Sequence, residues 1–322
     1  MYCKLCRCKA IIRLPYAKLS LCRKHFNEFI ERKVLKSINR YHMVNSGRRV
    51  LVAVSGGKDS STLLHILSSL RSTLKLELYG VYIDLGLGEY SKYSRECVEK
   101  LFKTVNVEYT IIELEKGLGY SVPKLSSLSK RPKCSICGLI KRYTLNAIAL
   151  HNRIDIVATG HTLDDVIAYI VKEFITGNYS QLYKLKPKLD AIPGLMPSRI
   201  KPLIEVSERE CLTYAISNKL PVHYGECPYS PEVSLEMEIK QFFNRLEVKH
   251  PGIKIQFLRK FVKEYSKSLE GSEGNIRKCS VCGLPSSSDI CALCKLVGRV
   301  DGSYSRVLDF HKYIEGLEFK HP

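Results

Sequence analysis

No apolar run in this 322-residue chain approaches transmembrane length and no basic amphipathic anchor is present, which argues against a membrane protein. Acidic residues are in short supply: 32 Asp+Glu face 51 Lys+Arg, a formal net charge of +19. The basic residues are spread along the chain rather than gathered in a tail. A distributed excess of this size attracts phosphate polyanions, because each neutralised phosphate releases counterions; a merely well-solvated surface is the plainer alternative. Tryptophan is missing and glutamine scarce beside abundant Lys, Ile and Leu, a heat-adapted composition. Cys3 follows Met1 almost at once, leaving no room for a leader, so a cytoplasmic location with reduced or metal-bound thiols is expected.

Length allows a full α/β core with small appendages. Residues 1–27 form a compact Cys/His module, and Phe26, Phe29, Ile30, Val34 and Ile38 set one buried face of a helix over 26–43. Strands at 50–54, 78–84, 107–114 and 155–159 then alternate with helices at 60–70, 90–105, 138–151 and 163–175. That order predicts an α/β fold, a doubly wound parallel sheet covered on both faces. A Lys/Ser/Pro-rich stretch, 116–133, reads as a loop. Residues 177–203, with Pro187, Pro193, Pro197 and Pro202, read as an extended connection. Helices at 208–218 and 231–246 follow, and Gly271-Ser272-Glu273-Gly274 breaks the chain before a second cysteine module. The expected plan is an N-terminal module (1–27), a linker helix (28–47), a catalytic domain with helical extension (48–270), and a C-terminal module with tail (271–322).

Between the first strand and helix lies Ser55-Gly56-Gly57-Lys58-Asp59-Ser60. Glycines let backbone amides approach an anion, and the helix N-terminus adds its positive end. Lys58 supplies a mobile charge and Ser60 a hydroxyl. Lys58 is followed by Asp59, so this is not a Walker A loop, nor is it Gly-x-Gly-x-x-Gly. The hexapeptide resembles the pyrophosphate loop of ATP pyrophosphatases. Thr159-Gly160-His161-Thr162-Leu163-Asp164-Asp165 ends a later strand, where parallel sheets bind ligands. Asp164 and Asp165 read either as ligands of Mg²⁺ or nucleotide, or as a helix cap with acidic first-turn residues.

Thirteen cysteines are present, nine of them in five C-x-x-C or C-x-x-H pairs. Cys3/Cys6 with Cys22/His25, and Cys279/Cys282 with Cys291/Cys294, each suit one tetrahedral zinc ion that would supply the folding energy of a module too short for its own core. Basic residues around both fit nucleic-acid contact, with protein docking nearly as suitable. Cys134 and Cys137 open a helix and Cys227 lies far downstream. This triple suits zinc with His161 or His223 as a fourth ligand, a four-iron cluster with one open iron, or a persulfide resolved by a second cysteine. Cys8, Cys97 and Cys211 read as buried, inert thiols.

Taken together, these parts resemble the TtuA-type tRNA 2-thiouridine synthetases of the PP-loop superfamily, with the wobble-uridine thiolases of archaea and eukaryotes close behind. The resemblance spans nearly the whole chain. It includes the two cysteine modules, the Ser55–Ser60 loop, Cys-x-x-Cys-Gly-x-x-Lys-Arg at 134–142, Gly-His-x-x-Asp-Asp at 160–165, Arg199-Ile200-Lys201-Pro202-Leu203, Glu226-Cys227-Pro228-Tyr229 and Lys249-His250-Pro251-Gly252. It implies a Rossmann-like sheet flanked by zinc fingers, in which ATP with Mg²⁺ adenylates the C2 oxygen of a tRNA uridine, pyrophosphate leaves, and sulfur displaces AMP. Ala53 and Ile83 fall where the family holds adenine; Ser55, Gly56, Gly57, Lys58, Asp59, Ser60 and Gly160 fall in its ATP-binding loops; Lys141 and Asp165 fall where it contacts ATP and the reacting centre. Cys134, Cys137 and Cys227 match cysteines that hold a 4Fe-4S cluster, whose open iron takes sulfide from the thiocarboxylate of a ubiquitin-like carrier. A homodimer is also implied. The chain departs from the family at Asp165-Val166-Ile167-Ala168, where relatives more often carry a further acidic residue. A T-loop 5-methyluridine is the favoured target. The wobble uridine, a PP-loop amidotransferase acting on a small metabolite, and a non-catalytic RNA-binding zinc protein are the competing readings.

Overall fold

Alternation along the strands decides which layer each residue joins. The computed structural model describes residues 1–231, 233–268 and 276–322, apart from the side chains of 266–268. The chain opens with a hairpin, β1 (Ile12–Leu14) and β2 (Leu19–Leu21), leading into α1 (Arg23–Arg40). Then come β3 (Arg49–Ala53), α2 (Lys58–Leu74), β4 (Glu77–Asp84), α3 (Glu89–Val105) and β5 (Glu108–Glu113). The short α4 (Leu114–Leu118) and α5 (Val122–Ser129) precede α6 (Lys133–His151), β6 (Ile156–Ala158) and α7 (Leu163–Ile175). A 3-10 segment (Tyr179–Leu185) leads to β7 (Lys188–Leu189), β8 (Ser198–Ile200) and α8 (Glu208–Ser217). The rest is helical, α9 (Leu235–Lys249) and α10 (Ile253–Ser268), until β9 (Arg277–Lys278), β10 (Pro285–Ser286), α11 (Ala292–Asp301) and α12 (Ser305–Glu315).

The main sheet runs β5-β4-β3-β6-β8-β7, parallel except for the antiparallel edge strand β7. Val50, Val52, Ile156 and Ala158 enter one apolar layer, shared with the N-terminal hairpin, α1, α7 and α8. Leu51, Val81 and Val157 point the other way into a layer with α4–α6 and the C-terminal module. This period-2 partition is what a sheet covered on both faces requires. The chain winds outward from β3 to β5, then returns to place β6 on the other side of β3. The switch point therefore lies between β3 and β6, and a crevice opens beyond their C-terminal ends.

Four expectations need correction. The 116–133 stretch is not a loop throughout. Ser121 caps α5 by accepting from the Lys124 N–H, and Pro123 lies in the helix's first turn, where its missing N–H costs nothing. Helix α6 begins at Lys133 rather than 138. The 177–203 connection is not extended throughout: it contains β8, which joins the main sheet in parallel beside β6, and the antiparallel edge strand β7. Cys8 is exposed and Cys97 half-buried, so only Cys211 is the buried, inert thiol expected of all three. The Gly271–Gly274 break lies outside the described residues.

Candidate active site

The Ser55–Ser60 loop turns from β3 into α2 with Gly57 at the N-cap. Gly56 has φ +86°, and a Cβ there would stand 3.0 Å from Ser94 on α3, so glycine is required both for the turn and for the approach. The Ser60 hydroxyl donates to the Gly57 carbonyl (3.1 Å) and accepts from the Ser55 N–H (3.0 Å), which fixes the loop. Lys58 reaches Asp59 at 2.9 Å. Burial raises the Asp59 carboxyl to about 6, with Lys58 opposing and Asp165 and Glu208 reinforcing. One Asp59 oxygen is buried without a hydrogen-bond partner. Ala53 ends β3, and Ile83 lies near the end of the adjacent β4; both are half-buried, packed against the same layer as Cys137.

The second loop lies directly on the first: a Cβ on Gly160 would stand 3.0 Å from the Ser60 backbone. Asp165 and Thr162 form a capping box at the start of α7. Lys240 of α9 bridges Asp165 and Glu208, at 2.5 Å to each. Against burial, which raises it, Lys240 holds the Asp165 carboxyl below its usual range. Asp164 does not face the crevice. It is buried, ion-paired to Lys254 and accepts the Glu208 N–H at 2.8 Å, which corrects its reading as a Mg²⁺ or nucleotide ligand. Burial, then the charge of Lys201, lowers the His161 imidazole to about 4, so it is neutral at pH 7. Its Nδ1 is 2.9 Å from the Thr159 hydroxyl. Lys141 is half-buried on α6 and contributes to the positive field at His161.

The Cys227 segment is tied to this crevice. The His223 N–H donates to the Gly56 carbonyl at 2.9 Å, and its Nδ1 lies 3.1 Å from the Ser94 hydroxyl. Cys134 approaches the Tyr229 carbonyl at 3.8 Å, while Lys133 lies over the Tyr229 ring. Burial, then Cys227 and more weakly Cys137, raises the Tyr90 phenol. Among the described residues the triple is not gathered as tightly as the two terminal sets, whose ligand atoms lie within 4.8 Å of one another. Cys134 is exposed, and Cys137 and Cys227 are half-buried. The Ser94–His223 latch and the Lys240 and Lys254 pairs had no sequence signal, because their partners lie far apart in the chain.

The terminal sets fit tetrahedral zinc. In the first, Cys6 and Cys22 sulfurs are 3.6 Å apart, and His25 Nδ1 is 3.4 Å from Cys3 and 3.5 Å from Cys22. In the second, Cys279–Cys294 is 3.9 Å and Cys282–Cys291 is 3.8 Å. Zinc–sulfur bonds of about 2.3 Å give tetrahedral edges of roughly 3.8 Å, whereas a disulfide needs about 2.05 Å.

A glycine loop between strand and helix at the switch point of such a sheet defines a PP-loop nucleotide-binding protein, and residues 26–226 match the family model of the PP-loop domain. The chain is 38% identical over 301 residues to the tRNA-5-methyluridine(54) 2-sulfurtransferase of Pyrococcus horikoshii, covering 92% of this chain and 94% of that one. It is 36% identical over 297 residues to the protein of the same name from Thermus thermophilus, covering 92% and 91%. A solved structure, the U34-tRNA thiolase NcsA from Methanococcus maripaludis with its 4Fe-4S cluster, superposes with a TM-score of 0.77 at 29% identity, covering 93% of this chain and 96% of that one. The chain belongs to the PP-loop family, among the tRNA 2-sulfurtransferases. Among the described residues no helix is long and apolar enough to cross a membrane.

Proposed function

We propose that the protein is an ATP-dependent tRNA 2-sulfurtransferase that thiolates a T-loop 5-methyluridine. The observation that carries this is the convergence of three motifs at one crevice: the Ser55–Ser60 loop, the Gly160–Asp165 loop stacked on it, and the Cys227 segment bonded to Gly56. In this reading Ala53 and Ile83 flank adenine, and the backbone from Ser55 to Ser60, with Gly160, holds ATP phosphates. Lys58 and Lys141 offset negative charge as pyrophosphate departs, and Asp59 and Asp165 would hold Mg²⁺, which would neutralise phosphate charge, beside the reacting nucleotide. His161, neutral at pH 7, leaves the cationic work to the lysines. Cys134, Cys137 and Cys227 would hold a 4Fe-4S cluster, which supplies a site for the incoming sulfur. Cys3, Cys6, Cys22 and His25, and separately Cys279, Cys282, Cys291 and Cys294, would each hold one zinc ion. The sulfur donor is a ubiquitin-like carrier thiocarboxylate, the enzyme a homodimer, and its compartment the cytoplasm. The T-loop target is supported by the names of relatives at 36–38% identity.

The wobble uridine is the second reading, supported by the structural likeness to a U34-tRNA thiolase. Anaerobic incubation of the reconstituted protein with ATP, Mg²⁺, sulfide and unmodified tRNA, followed by nuclease mapping and mass spectrometry, decides between them. Sulfur in the T-loop is the expected result; sulfur at the wobble position moves the site, and no thiolation by protein that binds both ATP and iron means either that the sulfur carrier is required or, if adding it restores nothing, that the assignment is wrong.

A further inference from the structure

Four cationic side chains gather where α6, the 3-10 segment and β8 meet, and their bonds go to neutral acceptors. Arg199 donates to the Asn146 side-chain oxygen at 2.7 Å and reaches the Arg142 carbonyl at 3.5 Å. Lys201, only 7% exposed, donates to the carbonyls of Lys184 (2.8 Å) and Lys186 (2.7 Å), and so fixes the wall that carries Lys184. Lys184 itself donates to Gln181 at 2.6 Å. Arg142 and Lys184 are exposed, and Arg199 is half-buried. None of the four forms an ion pair among the described residues, whereas Lys58 and Lys240 at the crevice do.

The four repel one another. Burial, then Arg142, lowers Arg199 to about 10; burial, then Arg199, lowers Lys201 to about 7; burial, then Arg142, lowers Lys184. Glu173 opposes this weakly at Lys184, but no carboxylate among the described residues pairs with any of the four, and like charges held together this way make a positive field for something that arrives from outside. Guanidinium forks match the paired oxygens of a phosphate. The nucleotide's phosphates already have the loop at 55–60, after β3; this cationic cluster lies two strands further along the sheet, at β8, which suits the second polyanion of the reaction.

We propose that Arg142, Lys184 and Arg199 bind a phosphodiester of the RNA substrate close to the nucleotide being modified. The assignment rests on the tRNA reading above. It is tested on the full-length protein by measuring affinity for an unmodified tRNA transcript at several salt concentrations, and affinity for a non-hydrolysable ATP analogue, in R142Q, K184Q and R142K. Both neutralised residues are exposed, so unchanged thermal midpoints are expected as the control for folding. R142Q and K184Q should each weaken tRNA binding roughly tenfold at 0.1 M salt and lower the slope of log K against log salt by about 1. R142K should keep the slope, and ATP-analogue affinity should not change. Wild-type slopes in both neutral variants overturn the cationic-cluster assignment alone, as does a loss confined to the ATP analogue. A wild-type protein that binds no tRNA overturns the tRNA reading and the cluster assignment with it.

Discussion

The His223 N–H donates to the Gly56 carbonyl at 2.9 Å, so the segment that brings Cys227 to the crevice is anchored by main chain rather than by its thiol. Removing a sulfur from Cys134, Cys137 or Cys227 therefore leaves the nucleotide loop in place. We expect each Cys→Ala variant to lose thiolation while its ATP affinity, read by calorimetry, stays within about twofold of wild type, a difference of roughly 0.4 kcal/mol. Loss of ATP binding in any of the three would show that the thiols hold the loop itself.

Asp59 gives a pH signature. Its carboxyl is raised from 3.8 to about 6, by burial first, so the fold favours its neutral form. The stability it contributes is complete below the unfolded value and is lost as pH rises through about 6. D59N removes that loss, and should stabilise the ligand-free protein by at most about 3 kcal/mol at pH 8 and not at all near pH 3.5, while impairing ATP turnover. Denaturant midpoints of the two proteins across pH 3.5–8 check this; a gap that does not widen with pH would count against it.

The N-terminal segment is held to the core by Lys33 of α1 and Glu210 of α8, 2.9 Å apart and with side chains only 10% and 2% exposed. Against burial, Lys33 and the Tyr16 hydroxyl hold Glu210 low, so its contribution is present above the unfolded carboxylate range and is lost as pH falls below it. K33M leaves the buried Glu210 carboxylate without its counter-ion and should cost roughly 3–5 kcal/mol at pH 7, whereas K33M with E210Q, which removes the charge but keeps the Ser207 and Tyr16 contacts, should recover part of that. Urea titrations of the two variants measure the difference.

Much of this was legible because the chemistry is local. The strand, glycine turn and helix start are contiguous from Arg49 to Leu74, and each metal set is two short pairs. Strand β8 was hidden because three residues between prolines are too short to show a period, and α5 because Pro123 reads as a breaker unless it falls in a first turn. The partners of the acidic pair were out of reach for another reason: Lys240 is 75 residues from Asp165, and Lys254 is 90 from Asp164. Only packing of α9 and α10 on α7 reveals that one aspartate is structural while its neighbour faces the crevice.

The two terminal metal sets should differ in lability. All four C-terminal ligands are buried in the apolar layer beneath α6, where Tyr143 packs against Phe310 and the Cys282 charge bears on its phenol. In the N-terminal set Cys6 is exposed and His25 half-buried, so water and chelator reach the metal directly. Release to a chromogenic chelator should therefore be biphasic, one zinc per phase. The fast phase should be missing in C6S, and the slow phase limited by local opening. Because α6 also carries Cys134 and Cys137, the slow phase should coincide with loss of bound iron, followed by its visible absorbance, and the fast phase should not. A single release phase, or iron lost with the fast one, would mean that the C-terminal module does not brace the helix that carries the cysteines.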